Sequence, residues 1–143
     1  MNSTLRSVLL WLMAALFIIA GLNHFRDPGF YLVMMPPVLP FPLGLIYLSG
    51  VLEVLGGLLV LAPPLRRLAG WGLIALLLGV FPANIYAAVA QVQPPGGHVA
   101  PLLLWLRLPF QAVFIAWVYF AALHRPAADR ADRVRRPTAA APT

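Results

Sequence analysis

The chain contains no cysteine. Disulfides, thiolate metal sites, iron–sulfur clusters, c-type haem attachment and dithiol relays are therefore excluded. Lysine is also absent, so the formal charge of +6 rests on ten arginines against four acids. Charged residues make up only 10% of the chain, where a soluble domain carries roughly a quarter. With 62% hydrophobic residues and a mean hydropathy of +0.87 over 143 residues, the polar atoms cannot cover a water-exposed surface. Disorder needs low hydrophobicity and is equally excluded for the bulk of the chain. No glycine-rich phosphate loop, serine elbow or paired-carboxylate motif is present. Half of the arginines lie at position 125 or later, so the basicity belongs to a tail and not to a nucleic-acid face. What remains is an integral membrane protein.

Charge-free stretches locate the spans, because a helix crossing the hydrocarbon needs about 20 mainly apolar residues. They predict an all-α, four-helix transmembrane domain over residues 1–125, with helices at 6–25, 43–62, 67–91 and 101–124. Membrane strands alternate polar and apolar residues, whereas these runs are apolar all round. Arg6 precedes the first span, Arg66 and Arg67 join the second and third, and Arg125, Arg130, Arg133, Arg135 and Arg136 follow the fourth. The positive-inside rule then puts both termini in the cytoplasm, in an up-down-up-down bundle. The first span is too long for an ordinary signal-peptide core and is read as an anchor. Residues 126–143 read as a disordered basic cytoplasmic tail near anionic lipid. Between the first two spans, Met34-Met35-Pro36-Pro37-Val38-Leu39-Pro40-Phe41-Pro42 is apolar, but its prolines forbid a regular helix. Such a loop lies on the membrane surface or folds over the bundle as a lid.

Polar residues inside the spans cluster toward the outer side. Glu53 is ~15 Å below the outer start of the second helix at 1.5 Å per residue, and Arg107 in the fourth differs from it in depth by roughly 6 Å. Gln111 sits one turn below Arg107 on the same face. Asn84 lies in the outer half of the third helix, and Asn23 and His24 close the first on the same side. Intramembrane charges face the bundle interior and pair, so Glu53 and Arg107 are expected to meet. Ser49, Gly50, Glu53, Gly56 and Gly57 form a small-residue stripe, which turns Glu53 toward a neighbouring helix. Pro82 and Pro109 each free a carbonyl close to these side chains. Two readings stay open. The cluster is a structural polar core, or it is a ligand pocket of Glu53, Arg107, Gln111, Asn84, His24 and Asn23 open to the outer leaflet. His24 and His98 lie far in sequence depth from His124, so no two of opposite ends can hold one haem, and no metal site is expected.

Three stretches, Ala20-Gly21-Leu22-Asn23-His24-Phe25, Ser49-Gly50-Val51-Leu52-Glu53 and Trp105-Leu106-Arg107-Leu108-Pro109-Phe110-Gln111, together resemble the DoxX-like membrane proteins over about residues 5–122. The resemblance implies a small four-helix bundle in a bacterial plasma membrane. The family's name derives from a subunit associated with quinone-linked oxidation of sulfur compounds. It thus implies an accessory or binding subunit of a quinone-linked oxidoreductase, without catalysis of its own, that holds a lipophilic molecule such as a quinone. Members that act as thiol redox partners need cysteines, which this chain lacks. The alternatives are a ligand-free scaffolding protein that binds a membrane partner through its helix faces, and a small transporter working as a homo-oligomer.

Overall fold

The computed structural model describes residues 3–124, which are all-helical. The basic tail expected at 126–143 lies outside the described residues. Five α-helices follow in order: α1 (Ser3–Arg26), α2 (Pro28–Leu32), α3 (Pro42–Leu59), α4 (Arg66–Val89) and α5 (Pro101–Val118), the last running into a π-helical segment, Tyr119–Leu123. Four of these described helices are long and apolar enough to cross a membrane: Thr4–Arg26, Pro42–Leu59, Arg66–Val89 and Pro101–Leu123. Their outward faces carry large apolar side chains such as Trp11, Leu22, Leu68 and Leu102. In water these faces would aggregate; in lipid they are at home.

Prolines punctuate the chain. Asp27 ends α1 because a residue before proline avoids the helical region. Pro28 then opens α2 as its first residue, where no N–H is needed, and the Asp27 carboxylate accepts the Phe30 N–H at 3.2 Å. This short helix was not expected from the sequence, in which residues between the first two spans read as a loop. Phe41 takes a left-handed conformation (φ 51°) immediately before Pro42 starts α3. At its other end α3 stops at Leu59 and not near 62, because Pro63 and Pro64 follow. Arg66 Nε and Nη2 donate to the orphan carbonyls of Val60 and Leu61 at 2.9 and 3.3 Å. A cation at a helix C-terminus completes those groups and opposes the dipole.

Glycines set the tightest packing. A Cβ built on Gly21 of α1 would stand 2.6 Å from the Gly50 carbonyl of α3, and one on Gly50 would stand 2.9 Å from the Gly21 carbonyl. Ala14 and Ile18 meet Gly57 further along the same seam. Backbones this close require glycine on both sides. The buried core lies toward the other end of the bundle, where Met13, Phe17, Val60, Leu73, Val118 and Ala121 converge. There Gly70 of α4 faces Ala122, and Arg6 Nε donates to the Ala121 carbonyl at 3.0 Å. The end that carries Glu53 and Arg107 is less completely filled.

Candidate functional site

A cavity of about 620 Å³ opens among α2, α3, α4 and α5. Its polar wall is made by His24 of α1, Glu53 and Ser49 of α3, Asn84 of α4, Arg107 of α5 and Tyr31 of α2. Phe30, Met34 and Met35 form the roof, so the apolar proline-bounded segment does fold over the bundle. The remaining lining comes mainly from leucines of α3 and α4. An apolar chamber with a few convergent polar groups is the usual form of a small-molecule site.

Glu53 reaches the cavity because the Gly21–Gly50 contact pins this turn of α3 against α1. His24 is its ionisable neighbour, with Nδ1 3.5 Å from Oε2. The same Nδ1 lies 2.9 Å from the Ala20 carbonyl, which can only accept, so Nδ1 carries a proton and spends it there. At 3.5 Å the carboxylate receives no real hydrogen bond, and Oε2 is buried without any partner. The imidazole is fixed from the other side by Tyr31, whose ring stacks on it at 3.8 Å between centroids and 19°. Asn23 donates its Nδ2 to the Tyr31 hydroxyl at 3.1 Å. Burial pushes the Tyr31 phenol above its ordinary value, partly offset by the Asn23 hydrogen bond. It therefore stays protonated and able to donate.

Arg107 does not pair with Glu53; among the described residues no ion pair joins them. Nη1 of Arg107 instead lies 2.8 Å from the Met34 sulfur, and the guanidinium carbon stands 5.5 Å from the Phe30 ring centroid. The physical reason is the order of the helices. The Glu53 turn of α3 is pinned against α1, while Arg107 on α5 turns up to the roof. The arginine keeps a soft sulfur and a ring face as company, leaving a cationic donor without a carboxylate.

Asn84 and Gln111 do come together. Asn84 Nδ2 donates to Gln111 Oε1 at 2.8 Å, and Gln111 Nε2 donates to the Leu77 carbonyl beside the Pro82 interruption. Gln111 is buried and stands behind Asn84, not in the cavity wall. Asn23 likewise stands outside the wall and braces Tyr31. Of the six residues expected to bind, four line the cavity and two support them. The sequence reading missed Tyr31, Phe30 and Met34. Their signal was a Tyr and two adjacent Met residues in an otherwise apolar, proline-bounded loop. His98 and His124 lie outside the wall, so the cavity holds a single imidazole.

The family model described as Domain of unknown function (DUF8561) matches residues 13–122. No curated protein and no solved structure matches the chain.

Proposed function

Because the chain belongs to the family described as Domain of unknown function (DUF8561), a membership that brings no activity with it, we propose from the geometry of its cavity that it is a membrane-embedded binding subunit. It holds a lipophilic molecule whose polar head lodges between Glu53 and Arg107. One observation carries this reading: an apolar chamber brings together an unpartnered buried carboxylate oxygen and an arginine without a carboxylate. Left to itself a purely structural core would join the two. Arg107, with the Tyr31 hydroxyl beside it, suits the carbonyl or hydroxyl oxygens of a head group, and Glu53 accepts from a head that can donate.

A quinone–quinol couple meets these demands: its carbonyl oxygens accept from Arg107 and Tyr31, a quinol hydroxyl donates to Glu53, and the tail is apolar. The likeness of the motifs around Asn23, Glu53 and Arg107 to DoxX-like proteins supports that choice and a place beside a quinone-linked oxidoreductase in a bacterial plasma membrane. The arginine distribution supports an up-down-up-down arrangement with both termini in the cytoplasm. In that orientation the cavity opens toward the outer leaflet.

Thermal unfolding in detergent with increasing benzoquinone tests the proposal. Stability should rise with ligand concentration by the linkage relation, and Arg107→Ala should lose most of that rise. An unresponsive wild type at saturating quinone contradicts it.

A further inference from the structure

The α3–α4 seam that walls the cavity opens again further along. A second, smaller hollow of about 250 Å³ lies on the same seam between α3 and α4, lined by Leu55, Gly56, Leu59, Leu68, Gly72 and Leu73. Leu52 lines both hollows. On α3 the wall passes from Ser49 through Leu52 and Leu55 to Leu59, and on α4 from Ala83 through Gly79, Leu76 and Gly72 to Leu68. Both series recur at three and four residues, so each is one helix face. The stretch of α4 from Asn84 to Leu68 is about 24 Å long, most of the ~30 Å hydrocarbon thickness.

The two glycines of the lower hollow have different jobs. A Cβ on Gly56 would collide with the Leu73 side chain, so Gly56 lets the helices close there. A Cβ on Gly72 would meet nothing within 4 Å. Neither packing nor backbone conformation demands glycine at 72; what it leaves is open space facing the groove. Gly79, in the upper cavity, is equally unencumbered.

We propose that the α3–α4 groove is the tail channel of the same site, so that the ligand is a long-chain lipid lying along the seam with its head at Glu53 and Arg107. The inference rests on the reading of the upper cavity as a head-group site. It adds that the chain length of the ligand is recognised, by a tail that passes Leu52, the side chain common to both hollows, from the head chamber into the lower one. The polar lining is confined to the head end, and the lower walls are leucine, glycine and Ala69. Hydrocarbon is the matching chemistry, held by van der Waals contact along the groove.

Gly72→Phe fills the lower hollow without touching the head residues, and Gly79→Phe fills the upper one. Binding is measured for the protein in nanodiscs with two probes, a long-chain benzoquinone and the same ring without its tail. Comparing variants with one probe at a time removes differences in bilayer partition. Gly72→Phe should weaken the long-chain probe about tenfold or more, equivalent to about 1.4 kcal/mol, and spare the tailless ring. Gly79→Phe should weaken both. Equal treatment of the two probes by Gly72→Phe, whether both are spared or both weakened, overturns the tail channel. Failure of both probes to bind the wild type overturns the head-site reading as well, and a long-chain probe that binds no tighter than the bare ring overturns the tail channel alone. A second measurement needs no variant: a long-chain benzoquinone with a diazirine at its tail tip should label the Leu65–Leu73 stretch of the wild-type protein. Labelling elsewhere in the chain, with that stretch untouched, overturns the inference.

Discussion

Glu53 is the residue whose circumstances need most explanation. Its Oε2 is buried with no hydrogen-bond partner, although a buried polar group left unsatisfied costs about 1–3 kcal/mol. If that cost serves binding, removing the carboxylate should relieve it. Glu53→Leu is therefore expected to raise the midpoint of thermal unfolding in ligand-free detergent, or leave it unchanged, while abolishing the response to the reduced hydroquinone, whose hydroxyl donates. A buried ion pair with Arg107 would behave oppositely, because deleting one partner strands the other at about 3–5 kcal/mol. The coupled polar pair lies elsewhere. Asn84→Leu and Gln111→Leu should each destabilise, and a double-mutant cycle should return a coupling of about 0.6 kcal/mol, the mean found for hydrogen bonds between membrane helices, and at most about 1.7 kcal/mol. Strict additivity would deny the Asn84–Gln111 contact. The depth of these side chains could be counted from the ends of the apolar runs. Which of them touch could not, because spans that are apolar all round do not reveal helix order, and order decided that Glu53 faces His24 while Arg107 faces Met34.

At the scale of elements, the four long helices were legible because hydrophobic length is a strong signal. Their ends were less so. Arg66 read as a topology marker, yet its guanidinium also closes the carbonyl end of α3. Pro28 lies in what reads as a loop between spans, yet it begins α2, the element that brings Phe30 and Tyr31 over the cavity. The final turn of the fourth span is π-helical, with the His124 N–H on the Tyr119 carbonyl, a local choice that composition does not encode. The small-residue stripe on the second span was a sound guide: Gly50 and Gly57 meet α1, and Gly56 meets Leu73 of α4. Gly21→Ala should cost roughly 1–3 kcal/mol, the usual range for overpacking, because the new Cβ meets the Gly50 carbonyl backbone, which cannot step aside. Gly72→Ala has open space and a better helix former, so it should be neutral or slightly stabilising. Equal losses for the two in detergent melts would show that the α1–α3 seam is not the close contact described here.

For the whole molecule, the bundle divides along its length. One end is packed around Met13, Phe17, Leu73 and Val118. The other is held apart around a chamber, pinned by the Gly21–Gly50 crossing and roofed by the segment that contains Met34 and Met35. A protein that only needed to fold in lipid could close both ends with leucine. Keeping an unpartnered carboxylate oxygen, a guanidinium and a phenol around open volume costs stability, a cost that the proposed binding function would explain. The most direct measurement of this claim is an experimental structure of the protein in nanodiscs with a saturating long-chain benzoquinone. The account predicts non-protein density in the cavity, its ring oxygens within hydrogen-bonding distance of Arg107 and on the Glu53 side of Tyr31. A cavity closed by Met34 and Met35, with Arg107 turned onto Glu53 and no density between them, would contradict it.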